Sequence, residues 1–122
     1  MQNKSLRVGP VALTNAAANI VNGNVTSLAG PVNVTLTQPV ITLTHIRLVN
    51  KTSGAVTASL YVGATGGSAP GTEFAFNATS IPANSYVDWY GKLRLESADF
   101  LTGLASANTS ITFQAEGEVG FQ

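Results

Sequence analysis

The alternation of apolar and polar residues over positions 109–122 constrains the fold of this chain more than any other feature. The even positions hold mainly Thr, Gln and Glu, and the odd positions hold Ile111, Phe113, Ala115, Gly117, Val119 and Phe121. Because successive side chains of a β-strand point to opposite faces, this pattern predicts a strand with one apolar and one wet face. An apolar face of that length needs a second sheet to cover it.

The rest of the chain repeats this signal in shorter segments. Alternating or β-rich runs, separated by turn residues, lie at residues 32–36, 40–50, 56–62 and 86–96, and residues 99–108 lead into the last strand. No segment has a convincing helical pattern, and about eight to ten short strands are typical of a sandwich or barrel. We therefore predict an all-β protein, a jelly-roll-like antiparallel β-sandwich with a single domain.

The first residues differ from the rest because a Gly-Pro pair interrupts their strand pattern. Leu6 and Val8 suggest a short strand, which Gly9-Pro10 interrupts. Because proline removes a donor from the strand ladder, we predict an N-terminal arm or edge strand over residues 1–10 and a sandwich domain over residues 11–122. Residues 14–24 are predicted to be extended or irregular and to end in a short strand.

The segment 40–50 changes phase in its middle. Ile41 and Leu43 occupy odd positions, whereas Ile46 and Leu48 occupy even ones. One regular strand cannot keep both pairs on one face, so we predict a bulge or bend near Thr44-His45.

Turn residues divide the second half of the chain. Residues 50–54 predict a turn that joins the strands before and after it into a hairpin. Residues 63–72 predict a loop, Phe74 and Phe76 a short strand, and residues 81–85 a connector. Residues 86–91 and 92–96 predict either two short strands or one bent strand.

Composition limits the partners of this chain. Its 122 residues suit one domain, and six basic residues balance six acidic ones. Without clustered Lys and Arg, we expect neither nucleic acid nor an anionic membrane as a partner. Since there is no cysteine, disulfides and thiolate zinc sites are excluded. The polar start lacks the apolar run of a signal peptide, and no run approaches the roughly 20 residues of a membrane span, so we expect a soluble product made in the cytoplasm.

Few residue types point to catalysis. His45 is the only histidine and has no acidic neighbour in sequence, so a structural role at the strand irregularity is favoured over a base or ligand role. Glu116 and Glu118 share one face, where solvation or cross-strand pairing is favoured over a reactive pair. A calcium site built from Asp88, Glu96 or Asp99 has no loop signature. The glycine-rich loop from Gly63 to Gly71 lacks the Lys and the helix that a phosphate-binding loop needs. We predict no catalytic, cofactor-binding or metal-binding residue, no cofactor and no enzyme activity.

Aromatic residues provide the best signal for a small ligand. Tyr86 and Tyr90 share a face with Asp88, and together with Tyr61 and Trp89 they suggest a sugar-stacking platform. A core position, packed with Phe113 and Leu95, is favoured for Trp89.

The order of these strands and turns resembles that of a known group of proteins. The segments that carry the resemblance are residues 46–50, 52–57, 60–62, 81–84, 88–89, 93–96, Asp99, Leu101 and 111–117. Together they resemble small β-sandwich virion proteins of tailed bacteriophages, of the decoration (cement) or head–tail type. The resemblance covers the chain from about Leu6 to its end and contains no catalytic motif.

The resemblance implies a homo-oligomer, with a trimer favoured, that docks on the major capsid protein or other virion proteins after assembly in the bacterial cytoplasm. A capsid decoration protein is the first hypothesis. The alternatives are a carbohydrate-binding or host-recognition module of a phage tail, a head–tail or neck structural protein and, least favoured, a hydrolase. The first hypothesis predicts contacts through residues 1–10, 63–71 and 81–85.

Overall fold

Ten β-strands make up the regular structure of the residues that the computed structural model describes, which are 2–22, 27–28, 34–35, 40–63, 67–96 and 99–121. The strands are β1 (Gln2–Ala12), β2 (Ala18–Asn22), β3 (Ser27–Leu28), β4 (Val34–Thr35), β5 (Val40–Asn50), β6 (Val56–Gly63), β7 (Thr79–Ile81), β8 (Ser85–Leu95), β9 (Phe100–Ala105) and β10 (Ile111–Phe121). Within these ranges there is no helix, and so none that is long and apolar enough to cross a membrane. Most of the predicted strand at residues 32–36 lies outside the described residues.

The strands form two four-stranded antiparallel sheets. The first sheet has the order β1-β10-β5-β8, the second sheet has the order β2-β9-β6-β7, and β3 pairs with β4. When β3 and β4 are set aside and the other eight strands are numbered along the chain, the sheets read 1-8-3-6 and 2-7-4-5. This is the strand order of a jelly roll, and it confirms the predicted fold class.

The core lies between the two sheets, as the alternation on β10 predicts. Ile111, Phe113 and Val119 are completely buried and Ala115 is almost so, whereas Glu116 on the other face is exposed. The second sheet covers them with the fully buried Leu60, Ile81 and Leu101. Complete burial of a side chain of this size contributes about 1.5–3 kcal/mol, so this layer supplies much of the driving force for folding.

The predicted hairpin between β5 and β6 is wrong. β5 pairs with β10 and β8 in the first sheet, whereas β6 pairs with β7 and β9 in the second. Residues 51–55 cross from one sheet to the other. Two alternating runs joined by a short turn look alike in sequence whether the strands pair or lie in facing sheets, because each buries one face in either arrangement.

The predicted short strand at Phe74 and Phe76 is also wrong. Ala75 lies in the left-handed region with φ of 64°, and the Phe76 amide donates to the Phe74 carbonyl at 2.6 Å. The segment nevertheless satisfies the edge of β6, because Leu60 donates to Phe76 and accepts from Phe74. The tight turn places the Phe74 ring edge-on against Trp89, with the ring centres 4.9 Å apart.

A stepwise bulge crosses the first sheet and confirms the irregularity predicted near Thr44-His45. The cross-strand rows on either side of it are Glu116–His45–Tyr90 and Gly117–Leu43–Leu93. Between these rows β10 has no further residue, β5 has Thr44, and β8 has Gly91 and Lys92. One extra residue reverses the alternation on β5, whereas none on β10 and two on β8 preserve it.

Candidate functional site

The bulge turns His45 onto the outer face of the first sheet, the face that points away from the second sheet. Leu43 before the step and Ile46 after it are both buried in the core, so Thr44 and His45 are the residues displaced outward. Arg47 follows on the same face. Three strands therefore bring their polar faces together around His45: β5 itself, β8 and β10.

His45 lies between two carboxylates that are distant in sequence. Its Nε2 is 2.9 Å from Asp88 Oδ1 on β8, and its Nδ1 is 3.1 Å from Glu116 Oε1 on β10. The hydrogen bond to Asp88 is the main cause of a raised pKa at His45; partial burial opposes it, and Glu116 adds to it. An ionised carboxylate only accepts hydrogen bonds, so the doubly protonated imidazolium is the form that satisfies both contacts.

Arg47 fixes the orientation of Asp88. Its Nε donates to Oδ1 at 2.7 Å, and its Nη2 donates to Oδ2 at 3.1 Å, which is a fork-like pairing of guanidinium and carboxylate. The hydrogen bond to Arg47, helped by that to His45, lowers the pKa of Asp88 below its usual value. Asp88 is therefore an ionised, doubly anchored acceptor.

Two tyrosines flank this polar cluster on β8. The Tyr90 ring stacks on the His45 ring at 4.6 Å between centres and at an angle of 10°, and the Arg47 guanidinium carbon lies 4.4 Å from the centre of the Tyr86 ring. Both tyrosines stay open to solvent, with 70% of Tyr90 and 53% of Tyr86 exposed. A shallow open groove runs over this part of the sheet and is lined by His45, Arg47 and Tyr90 among others.

The cluster is arranged for binding and for holding strands together. Both ring nitrogens of His45 face carboxylates, so in the imidazolium form no nitrogen lone pair is free to accept a proton. Asp88 accepts from two cationic groups at once. A ligand could therefore use the exposed tyrosine surface and the hydrogen-bonding positions of the Arg47 guanidinium and the two carboxylates that are not yet occupied.

The structure separates the predicted aromatic platform into two parts. Tyr86 and Tyr90 lie together with Asp88 on the outer face, as their spacing predicts. Trp89 points to the opposite side, where it is half-buried against the core and the edge of Phe74, and Tyr61 lies on β6 of the second sheet.

The acidic residues also divide. Glu116 makes the cross-strand pairing expected for it, with His45 as its partner. Asp99 Oδ2 accepts from the Glu96 amide within a turn, away from Asp88. In the part of the chain that the structure describes, no three His, Asp or Glu side chains are grouped so that they would hold a metal ion.

Sequence reasoning missed the acidic partners of His45 and the role of Arg47. The partners are 43 and 71 positions away, so neighbours in sequence give no hint of them. The phase change on β5 was the available signal, since it places His45 and Arg47 on the outer face. Only the strand order then shows which residues lie beside them.

Comparisons with known proteins find similarity among solved structures. Neither the family models nor the curated proteins searched match this chain. Among solved structures, the chain is similar to the structure of the infectious bursal disease virus Gx strain, with 7% identity, a TM-score of 0.40, and coverage of 96% of this chain and 28% of that one. A second similar structure is a pentameric capsid protein isolated from metagenomic phage sequences, with 15% identity, a TM-score of 0.32, and coverage of 98% and 59%.

A third similar structure is that of the infectious bursal disease virus Gt strain, with 13% identity, a TM-score of 0.33, and coverage of 97% of this chain and 29% of that one. The chain thus spans between about a quarter and three fifths of the length of the structures it matches. Because the TM-scores lie below 0.5, the fold rests on the strand pairing of this chain and not on these likenesses.

Proposed function

We propose that this chain is a bacteriophage virion structural protein, and specifically a capsid decoration protein that binds and stabilises the head shell. The observation that carries the proposal is the jelly-roll order of the two sheets, a topology that viral capsid domains use repeatedly. Lectins and cupins share this topology. The virion role is preferred among them because the strands and turns resemble those of small phage virion proteins.

Composition supports a role in assembly. Only 10% of the residues are charged, against about 25% in an ordinary globular domain. A surface rich in small uncharged polar groups packs against other protein with little desolvation cost. The proposed role is non-catalytic, with no cofactor, no nucleic acid and no membrane.

The proposed mechanism is a bridge between neighbouring capsid subunits that opposes expansion of the shell. Residues 67–71, next to the end of β6, are exposed. Residues 82–84 lie at the other end of the sandwich, where the Asn84 amide donates to Thr52 beside the start of β6. The eight residues of β6 span roughly 26 Å, so these two loops would reach separate partners.

The first strand is the third proposed contact. β1 lies at the edge of the first sheet, and its outer side pairs with no other strand in the described part of the chain. An edge of this kind presents free backbone donors and acceptors to another chain. Its proposed partners are another copy of this chain, in a homo-oligomer that we take to be a trimer, and the major capsid protein. A stable contact would bury about 1,200–2,000 Å².

The experiment compares virions of the phage that encodes this chain with virions that lack it. We expect particles without the protein to release their DNA at a lower temperature and after a milder osmotic shock. Adding the purified protein back should restore both. Equal stability with and without the protein would refute a cementing role, and its location in the neck or tail by electron microscopy would replace it with the head–tail alternative.

Arginine substitutions test which surface makes the bridge. Ala69→Arg and Pro82→Arg each place a long, positively charged side chain in one loop. We therefore expect that adding either variant to virions that lack the protein will not restore their stability. Gln114→Arg is the matched control, since it places the same side chain on the exposed outer face of the first sheet. Equal restoration by all three variants would exclude the two loops. Light scattering on the free protein should give a trimer mass, and a strict monomer would contradict the proposed homo-oligomer.

A further inference from the structure

Two large aromatic rings are exposed on one face of an edge strand. Tyr86 and Tyr90 both lie on the outer face of β8, and the rise of four strand residues separates them by roughly 13 Å. A pair of rings aligned in this way on a rigid strand exposes apolar surface that no packing within the described residues covers.

Each ring already uses one of its faces. His45 covers one face of Tyr90, and the Arg47 guanidinium lies over one face of Tyr86. These contacts hold the rings in position, so little side-chain conformational entropy is lost when a ligand stacks on their open surface. The aromatic surface is therefore preorganised.

Planar polar groups fill the space between the rings. Asp88 is oriented by Arg47 and His45, and 42% of the Arg47 side chain remains exposed, with donors beyond the two that Asp88 uses. Glu116 lies beyond His45 on β10, outside the space between the rings, and keeps 67% of its side chain exposed. Fixed carboxylate and guanidinium groups of this kind can accept from and donate to neighbouring hydroxyls.

The charges of this cluster favour a neutral ligand. Arg47 faces Asp88, and His45 in its imidazolium form faces both Asp88 and Glu116, within hydrogen-bonding distance. Arg7 lies opposite Glu116, and Lys92 and Arg94 continue the face beyond Tyr90, but Glu96 lies 3.5 Å from Arg94 and Glu118 is on the same face of β10. The fixed positive and negative charges on this face are therefore balanced. A phosphate-rich ligand would need an excess of positive charge here.

Shape favours an extended ligand. The Tyr86 and Tyr90 rings lie roughly 13 Å apart on an open sheet surface, and the groove that Tyr90 and Arg47 line crosses the strands without reaching Tyr86. Small-molecule sites, in contrast, usually enclose most of their ligand. A chain of pyranose rings meets these conditions, because it has apolar C–H faces to stack on tyrosine and hydroxyls to pair with planar polar groups. We propose that the outer face of β8, from Tyr86 to Tyr90, binds an extended neutral oligosaccharide, with Asp88 and Arg47 as its hydrogen-bonding groups. This site goes beyond the virion role and does not depend on it.

The test is calorimetric titration of the whole purified chain with cellohexaose, maltohexaose, chitohexaose and, as an acidic probe, hexagalacturonic acid. We expect saturable binding of at least one neutral hexasaccharide. Tyr86→Ala and Tyr90→Ala should each weaken it by about tenfold, since each removes a stacking surface. Tyr86→Phe and Tyr90→Phe keep the ring and should bind within a few fold of the original chain.

Two controls make the result decisive. Lys51→Ala changes an exposed residue at the corner after β5 and should leave binding unchanged. Thermal unfolding of every variant shows whether a loss of binding reflects a loss of fold, and the Phe variants remain informative if an Ala variant unfolds. Failure of all three neutral probes to bind would overturn the proposal. So would binding of the acidic probe alone, or binding that survives both Ala changes.

Discussion

At the scale of single residues, His45 is a pH-dependent link between strands. Its ring contacts Asp88 on β8 and Glu116 on β10, the two strands on either side of its own. Other charged or titratable groups that face this cluster are Arg47 on β5, Tyr90 on β8, and Arg7 on β1, which lies opposite Glu116. Since the link depends on the imidazolium, its strength changes with the charge of a single ring.

The pKa of His45 is raised, so its contribution to stability has a defined sign. The contribution is fully present below pH 6.5, the value of an unperturbed histidine, and is lost as the pH rises through the raised pKa. The lowered pKa of Asp88 acts at the acid end: its contribution is present above 3.8 and is lost as the pH falls through the lowered value.

We expect His45→Gln to cost on the order of 1 kcal/mol in the free energy of unfolding at mildly acid pH. The cost should shrink as the pH rises, because the original chain then also loses its imidazolium. Thermal unfolding of both chains from about pH 5 to about pH 8 measures the difference. Gln114→Ala, on the same exposed face of β10, is the control and should show no such trend. A pH-independent difference for His45→Gln would mean that the charge of His45 does not stabilise the sheet.

At the scale of elements, the stepwise bulge depends on a close approach of two backbones. A Cβ atom added to Gly117 would overlap the Thr42 carbonyl oxygen and lie 2.7 Å from Leu43 Cα. These atoms belong to β5 just before the step, so β5 can shift past β10 only because position 117 has no side chain.

Gly117→Ala should therefore destabilise the protein by about 1–3 kcal/mol, since backbone atoms must move to accept one methyl group. Chemical denaturation gives this value. Gly54→Ala is the matched control: a Cβ atom there meets nothing within 4 Å, and the change should stay within about 0.5 kcal/mol. Equal effects of the two substitutions would show that the step does not require glycine.

The same element shows how far sequence reasoning extends. Alternation is a local property, so it predicted the faces of β10 and the irregularity on β5. The step on β8 has two extra residues and leaves the alternation intact, so its only sign in the sequence is the break between residues 86–91 and 92–96 in the prediction of two short strands or one bent strand. Strand partners are not local, and for that reason the β5–β6 hairpin was predicted wrongly and the contacts of His45 were not found.

At the scale of the whole molecule, Asn50 joins the two sheets. It is the last residue of β5 and has no exposed surface. Its side-chain amide donates to Gly54 and to Ile81, the last residue of β7, while its oxygen accepts from the amide and hydroxyl of Thr52. All four hydrogen-bonding positions of the side chain are occupied, so the crossing from one sheet to the other is fixed from within.

Asn50→Ala should cost about 2–4 kcal/mol, because the buried Ile81 carbonyl and the partly buried Thr52 amide both lose their partner. Chemical denaturation measures the loss. Thr52→Val is the control: it removes hydroxyl contacts but leaves the backbone contacts of Asn50, and it should cost about 1 kcal/mol. If the two variants were equally stable, the corner would not depend on Asn50.

The stepwise bulge also has a consequence for aligning relatives of this protein. An insertion or deletion of one residue in β5 near Thr44 exchanges the inward and outward sides of half a strand, whereas a change of two residues near Gly91 on β8 leaves the sides as they were. In this region, whether a gap contains an odd or an even number of residues therefore decides if the inward and outward positions of two relatives coincide. An alignment should satisfy that condition before it maximises sequence identity.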